Sequence, residues 1–168
     1  MKTNTVSAET ELAILYRRHV TMIRQRSRRV LGDSAMAEDV TQEAFLLLFD
    51  RLRAGDPPEV PAAFLYRAAT TRALNAIRDG RRRAAILKDA ELPMWWGGEP
   101  GDRDARLDLV KVLASVDEEL ATVAVCYYVD GMDQDEIGAL LGLHRRTVSR
   151  RLEEFRERGQ RVLARGAA

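Results

Sequence analysis

Five side chains that can bond to DNA lie close together near the end of the chain: Arg145, Arg146, Thr147, Ser149 and Arg150. Guanidinium groups donate paired hydrogen bonds to guanine, and hydroxyl groups bond to base edges or to phosphate. Val148, Leu152 and Phe155 recur at helical spacing in the same segment, so a helix here would have an apolar inner face. An apolar inner face with cationic residues near the helix N-terminus is what a helix that reads the DNA major groove requires.

The residues before this helix predict another helix and a tight turn. Asp133 and Glu136 have the spacing of a capping box, which supplies acceptors for the first free N–H groups of a helix. Gly138 leaves room for a close crossing, and Gly142 stands where a left-handed residue would end the helix. The segment 132–161 therefore predicts a helix-turn-helix. The alternative is a plain helical hairpin whose basic face is only solvated.

The net charge of +1 conceals an uneven distribution of charge along the chain. Residues 1–90 carry 16 Lys and Arg against 11 Asp and Glu, residues 91–136 carry 3 against 12, and residues 137–168 carry 8 against 3. Two basic segments separated by an acidic one indicate two surfaces that face nucleic acid.

The chain lacks the residues that enzymes and metal sites need. It has two histidines, one cysteine and no glycine-rich phosphate loop, so we expect no catalytic activity, no cofactor and no metal site. Cys126 lies in an apolar run and is expected to be buried. No apolar run approaches the ~20 residues of a membrane span, and no signal peptide is recognisable, so we expect a soluble cytoplasmic protein.

Helical spacing of apolar residues recurs in almost every segment and strand-like alternation is absent, so we predict an all-α fold. Three helices are expected in the first part of the chain: from near Ser7 to a break at Gly32, over 35–52, and over about 61–83. Asp33 or Ser34 would cap the second helix. The proline-rich loop 54–61 would separate the second helix from the third.

Two surfaces of these helices are candidates for function. The second helix has a mixed polar and apolar patch at i, i+3, i+4 and i+7, formed by Asp39, Gln42, Glu43 and Leu46. From the residues alone this patch is equally a solvated face or a docking surface. The third helix is expected to expose six residues: Tyr66, Arg67, Thr70, Thr71, Asn75 and Arg78. Aromatic, amide and guanidinium groups on one surface suit binding to single-stranded bases, and the alternative is a solvated cationic helix end.

Apolar periodicity stops at 90–104, where prolines and glycines cluster. We predict a flexible linker there, between one small helical domain at 1–89 and another at 105–168. Trp95 and Trp96 are expected to pin the linker to one of the domains, or to bind a partner. Because each domain is small, we expect neither to have much apolar surface to spare for the other.

Four segments together resemble a bacterial RNA polymerase sigma factor of the extracytoplasmic-function group. They are LYRRH (15–19), LGDSAMAEDVTQEAFLLLF (31–49), FLYRAATTRALNAIR (64–78) and YVDGMDQDEIGALLGLHRRTVSRRL (128–152). The resemblance runs from residue 15 to about residue 162. It implies a transcription initiation factor that docks on core RNA polymerase and directs it to promoter DNA. An anti-sigma factor, where one exists, would be a further partner.

The resemblance also implies roles for the candidate residues. The first domain would be like sigma region 2, with Asp39, Gln42, Glu43 and Leu46 docking on the clamp helices of the polymerase. Asp56 in the loop 54–61 and the six residues named on the third helix would capture the melted single strand of the minus-ten element. The second domain would be like sigma region 4, and the five residues at 145–150 would read the double-stranded minus-thirty-five element.

Several positions depart from the family pattern. The family usually has tryptophan at Phe64, and asparagine and aspartate at Thr71 and Asn75. It also has a proline and arginines where this chain has Asp117, Glu119, Ala121 and Tyr127, and a serine or threonine cap at His144. Lost arginines remove phosphate contacts. The alternatives are a sigma-derived helix-turn-helix regulator that binds DNA without initiating transcription, and a simple helix-turn-helix regulator whose first domain only contacts proteins.

Overall fold

A computed structural model describes residues 2–86 and 100–166 of the chain. Every element in these two stretches is a helix, which confirms the all-α prediction. The helices are α1 (Lys2–Leu31), α2 (Ser34–Arg53), α3 (Pro61–Ile86), α4 (Pro100–Leu113), α5 (Glu118–Tyr128), α6 (Gln134–Leu141) and α7 (Arg145–Gly166). We call α1–α3 the first lobe and α4–α7 the second lobe.

The three helices of the first lobe pack against each other around Ile23, Leu48, Leu65 and Leu74, all of which are buried. The Asp33 carboxylate caps α2 by accepting a hydrogen bond from the Met36 N–H at 2.7 Å, as predicted. α1 begins five residues before the predicted start, because no proline or glycine interrupts the helix between residues 2 and 7.

In the second lobe, α5 is the central helix, with residues 120–126 buried. Cys126 is among them, as expected, and burial raises the pKa of its thiol. The predicted linker falls mostly outside the described residues, and so do Trp95 and Trp96. Its last part, residues 100–104, forms the first turn of α4 instead. Pro100 is the first residue of that helix, a position where a missing N–H costs nothing.

The helix-turn-helix prediction is confirmed by α6 and α7. Asp133 and Glu136 form a complete capping box at the start of α6, and Gly142 ends the helix with a φ of 68°. α7 begins at Arg145, and its first turn is closed by the His144 carbonyl, which accepts from the N–H groups of Thr147 and Val148.

The two lobes contact each other, which corrects the expectation that they have little surface for such an interface. α3 packs against α5 and α6. Arg26 of α1 is only 2% exposed and forms an ion pair with Asp130, just beyond α5. The expectation failed because buried apolar residues of the two lobes form one common core, to which arginine side chains add hydrogen bonds across the interface.

The close approach within the helix-turn-helix generates a test of the fold. A Cβ on Gly138 would lie 2.7 Å from the backbone oxygen of Leu143, which has no room to move aside. We expect Gly138→Ala to lower the free energy of unfolding by about 1–3 kcal/mol, as overpacking does elsewhere. Denaturant unfolding followed by circular dichroism measures the change.

Gly80→Ala is the matched control, since a Cβ at that helical position would meet nothing within 4 Å. It should leave stability unchanged or raise it by up to ~1 kcal/mol, because alanine is the better helix former. Equal stability of the two alanine variants would contradict the close crossing at Gly138.

Candidate nucleic-acid interface

The start of α7 presents an exposed basic surface, which we call the reading face: Arg145, Arg146, Ser149 and Arg150. Thr147, the remaining candidate of this segment, is half-buried. Val148 and Leu152 lie on the opposite side of the helix and are completely buried. The predicted separation into an apolar inner and a cationic outer face is therefore present.

The arginines of the reading face differ in their partners. Arg145 donates to the Asp135 carboxylate at 3.1 Å, which ties the start of α7 to α6. Within the described stretches of the chain, Arg146 and Arg150 form no ion pair or hydrogen bond through their side chains. These two guanidinium groups lie four residues apart on one helix face and are available for base edges and phosphates.

The candidates on α3 divide into two groups. Arg67, Thr71, Asn75 and Arg78 follow each other at i, i+4, i+8 and i+11, and we call this stripe the α3 face. Arg67 and Asn75 are exposed, and Thr71 and Arg78 are half-buried.

Tyr66 and Thr70 are only 2% and 1% exposed, so the prediction that they lie on the surface is wrong. The two residues share the neighbouring stripe of α3 with the buried residues Ala73 and Ile77. The Thr70 hydroxyl donates to the Tyr66 carbonyl at 2.8 Å and accepts from Arg26 at 2.7 Å. Residue polarity suggested exposure, but their position on the helix places both side chains in the interior.

A cleft of about 800 Å³ lies between α2 and α3 and contains four of the predicted minus-ten residues: Asp56, Arg67, Thr71 and Asn75. Leu47, Phe64 and Ala68 give it apolar walls, and Glu118 of α5 also lines it. An apolar wall with an aromatic ring and a polar rim suits a planar base that is unstacked from its neighbours. Arg78, farther along the α3 face, does not line the cleft.

The loop at the rim of the cleft is held in place by Arg51. This side chain forms an ion pair with the Asp56 carboxylate at 2.6 Å and donates to the Asp56 carbonyl at 3.0 Å. Its guanidinium also lies 5.7 Å from the centre of the Phe64 ring. Because one arginine contacts both residues, the loop and the aromatic wall of the cleft are positioned together.

The patch on α2 consists of four residues, all of them exposed: Asp39, Gln42, Glu43 and Leu46. We call it the docking patch. Leu46 is 60% exposed, and two further apolar side chains, Ile14 and Tyr16 of α1, are also exposed. Glu43 reaches back to Arg72 of α3 at 3.3 Å. One exposed leucine among polar side chains fits both a solvated face and a docking surface, so the two alternatives remain open at this point.

Two kinds of feature, metal sites and membrane-spanning helices, are absent from the described residues. No group of three or more His, Cys, Asp or Glu side chains there could hold a metal ion. Among the same residues, every helix is too short or too polar to cross a membrane.

Known proteins of one family are similar to this chain. Residues 15–83 match the family model for sigma-70 region 2. The sigma factor SigE of Mycolicibacterium smegmatis, described as an ECF RNA polymerase sigma factor, is 30% identical over 160 residues, which cover 89% of this chain and 60% of that protein. SigW of Bacillus subtilis, described in the same words, is 29% identical over 150 residues, which cover 80% of this chain and 79% of SigW. Most of the chain is therefore similar to sigma factors of the extracytoplasmic-function group, and its first lobe matches sigma-70 region 2.

Two further similarities concern the fold and a shorter stretch. The chain shares its fold with a solved structure of CnrH in complex with the cytosolic domain of CnrY. The match covers 96% of this chain and 96% of that chain, with a TM-score of 0.50 and 23% sequence identity. The transcriptional regulator LsrR of an Enterobacter species is 54% identical over 48 residues, or 28% of this chain and 15% of LsrR.

Three residues that join the two lobes are not predicted from the sequence: Arg26, Asp130 and Glu118. Arg26 carried a signal, since it stands three residues after Ile23 and four before Val30, in the apolar register of α1. A charged residue in that register needs a buried partner. Glu118 carried none, because an acidic residue in the first turn of a helix is common.

The reading face generates a prediction about duplex recognition. Arg146→Ala and Arg150→Ala should each lower the affinity for a preferred duplex by about 1–3 kcal/mol and relax the preference at one base pair, because a bidentate contact to guanine is lost. Duplexes selected from a randomised pool serve as probes, and fluorescence anisotropy measures the affinity.

Arg156→Ala is the control for this loss, since Arg156 is exposed farther along the same helix. It removes the same charge and should weaken all duplexes slightly and equally. If Arg146→Ala, Arg150→Ala and Arg156→Ala have the same effect on every duplex, α7 does not read sequence.

Proposed function

We propose that this protein is a transcription initiation factor that docks on core RNA polymerase and directs it to promoters. The observation that carries the proposal is the pairing of a cleft with an aromatic wall on the first lobe with two arginines on the helix-turn-helix, Arg146 and Arg150, that have no partner among the described residues. Similarity to sigma factors of the extracytoplasmic-function group supports the same activity. Residues 1–89 would act as a region 2-like domain and residues 105–168 as a region 4-like domain. Residues 90–104 would connect them, with the last five residues already helical.

The first lobe would carry two separate contacts. The docking patch on α2 would bind the clamp helices of the polymerase, with Leu46 as its apolar anchor and Asp39, Gln42 and Glu43 around it. Residues that are exposed around an apolar centre are what a protein interface requires. The cleft beside it would accept a base of the melted minus-ten strand, with Phe64 as the stacking surface and Asp56, Arg67, Thr71 and Asn75 as its polar contacts.

The second lobe would bind the minus-thirty-five element as a duplex. Arg146 and Arg150 would donate to base edges, while Arg145 and Ser149 would contact edges or phosphates. Thr147, half-buried, would make at most a marginal contact. We propose a cytoplasmic location and no catalytic role, because the polymerase supplies the chemistry and the promoter is in the cytoplasm.

The sigma-derived regulator is the second candidate. The observation in its favour is the similarity to LsrR, a transcriptional regulator. LsrR is 54% identical to this chain over a stretch of 48 residues. The two candidates differ in one property, because a regulator of this kind would bind DNA without core polymerase. Transcription by core polymerase on a promoter library, with and without the purified protein, separates them: defined starts that depend on the protein favour the initiation factor.

The docking patch generates a specific prediction. Asp39→Ala combined with Gln42→Ala should reduce co-purification with core polymerase by at least about tenfold, since removing contacts around an apolar anchor costs a few kcal/mol. Helicity and melting temperature should stay close to the parent, because both side chains are exposed. Affinity capture of core polymerase, with circular dichroism in parallel, measures both properties.

The control is Glu153→Ala combined with Gln160→Ala, which likewise removes one carboxylate and one amide, at two exposed positions of α7. This variant should retain core polymerase. Early melting of the Asp39 and Gln42 variant would mean that these residues support the fold rather than the interface.

A further inference from the structure

An ion pair joins the starts of the two helices of the helix-turn-helix. Arg145, the first residue of α7, donates through Nη1 to Oδ2 of Asp135, the second residue of α6, at 3.1 Å. The side chain of Arg145 is 70% exposed and that of Asp135 is 67% exposed, so an approaching duplex can reach both. Asp135 therefore borders the reading face, although it belongs to the preceding helix.

The fold has little need of this ion pair. The start of α6 is capped by Asp133, whose carboxylate accepts from the N–H groups of Asp135 and Glu136 at 2.9 and 2.8 Å. The first turn of α7 is closed by the carbonyl of His144. An exposed ion pair contributes little to stability, because water screens both charges and two mobile side chains must be ordered. The carboxylate of Asp135 is thus available for another role.

The two side chains still have donors and an acceptor to offer. Among the described residues, Oδ1 of Asp135 accepts no hydrogen bond, and the other N–H groups of the Arg145 side chain donate none. A guanidinium holds five N–H donors in one rigid plane, so two of them can bond to a base while a third bonds to the carboxylate. Arg145 and Asp135 together thus present two donors beside one acceptor, joined by their own hydrogen bond.

This pattern of donors and acceptor is complementary to one base pair only. In the major groove, guanine presents the acceptors N7 and O6, and its partner cytosine presents the N4 amino donor. In A·T, the N6 amino group of adenine would face the guanidinium, donor against donor. In the reversed pairs C·G and T·A, the carboxylate would face the N7 acceptor of the purine. The two side chains together therefore distinguish G·C from the other three arrangements.

The position of Arg145 suits this contact. The second helix of a helix-turn-helix brings its N-terminal residues to the base edges of the major groove, and Arg145 is the first residue of α7. The bond to Asp135 also restricts the guanidinium before DNA arrives, so less side-chain entropy is lost on binding. Arg146 and Arg150 have no such partner among the described residues. Arg145 is thus the reading-face arginine that the protein itself holds in place.

We propose that Asp135 is a specificity-determining residue of the reading face, although it lies outside the helix that enters the groove. Arg145 bonds to N7 and O6 of one guanine, and Oδ1 of Asp135 accepts from N4 of the cytosine paired with that guanine. The inference rests on the proposed function, since it takes the reading face as the surface that recognises the promoter duplex. It assigns a single base pair to two residues on different helices.

The base-pair preference of duplex binding tests this assignment. The full-length protein selects a preferred duplex from a randomised pool, and each position of that duplex is then changed to the three other base pairs. Asp135→Ala should reduce discrimination at one G·C pair by about five- to tenfold, because an acceptor and the support of Arg145 are lost. Arg145→Ala should affect the same base pair, and the double variant should lose little more than Arg145→Ala. Fluorescence anisotropy measures each affinity.

A second readout separates this role from a structural one. In Asp135→Ala, affinity for unrelated duplexes should rise by about twofold at low salt, since a carboxylate that repels phosphates is removed. A residue that only supported the fold would instead lower specific and non-specific binding together, with a lower melting temperature by circular dichroism. Glu157→Ala is the control, because it also breaks an exposed ion pair, with Arg161 farther along α7, and should leave the base preference unchanged.

Asp135→Asn keeps the size of the side chain and therefore serves as a second variant if the alanine variant is unstable. It should reduce the same G·C preference, because a neutral amide oxygen is a weaker acceptor for both the guanidinium and the cytosine amino group.

Three results would overturn the inference. The first is an unchanged preference at every base pair in both Asp135→Ala and Asp135→Asn. The second is a loss at different base pairs in Asp135→Ala and Arg145→Ala. The third is a parent protein that selects no duplex, since the reading face then reads no sequence.

Transcription by core polymerase is assayed in parallel on promoters that carry the selected duplex. A G·C preference that depends on both residues, without any directed transcription, supports the inference and contradicts the initiation function alone. Directed transcription by a parent whose preference does not depend on Asp135 supports the initiation function and overturns the inference alone.

Discussion

The guanidinium of Arg26 is buried at the junction of the two lobes, and a buried charge is tolerated only when charged and polar groups surround it. The groups that contact it come from α3, from α5 and from Asp130 beyond α5. Burial also lowers the pKa of this arginine. Because its partners belong to both lobes, this cluster acts together with the contacts of Arg67 and Arg78 to fix the position of the helix-turn-helix relative to the cleft.

The cluster explains the fate of the residues around it. Tyr66 and Thr70 are polar residues of the kind expected on a surface. Both are buried instead, where they contact Arg26. Arg67 remains exposed and donates a hydrogen bond to the Leu141 carbonyl at the end of α6. Buried apolar residues of both lobes form one common core, and hydrogen bonds from arginine side chains add specific contacts across the junction.

Local signals made much of the fold predictable from sequence. The capping residues Asp33 and Asp133 and the left-handed Gly142 depend only on their neighbours, and the structure has them in these roles. The exposure of α3 residues was predicted less well, because it depends on which other helices cover that helix. Nothing local distinguishes the buried Thr70 from the half-buried Thr71, one residue further along. The contact of Glu118 with α3 joins residues 47 positions apart and has no sequence signal.

α7 continues for 22 residues and packs against α4 well beyond the helix-turn-helix. Gly159 faces Val112, whose methyl groups would lie 3.6 Å from an added Cβ. At 1.5 Å per residue, this contact is roughly 14 Å along the axis from Arg150. Because α7 is one continuous helix, a shift at this remote contact also displaces the first turn of the helix. Evolution could therefore retune promoter choice through the size of residues 112 and 159, leaving every DNA-facing side chain unaltered.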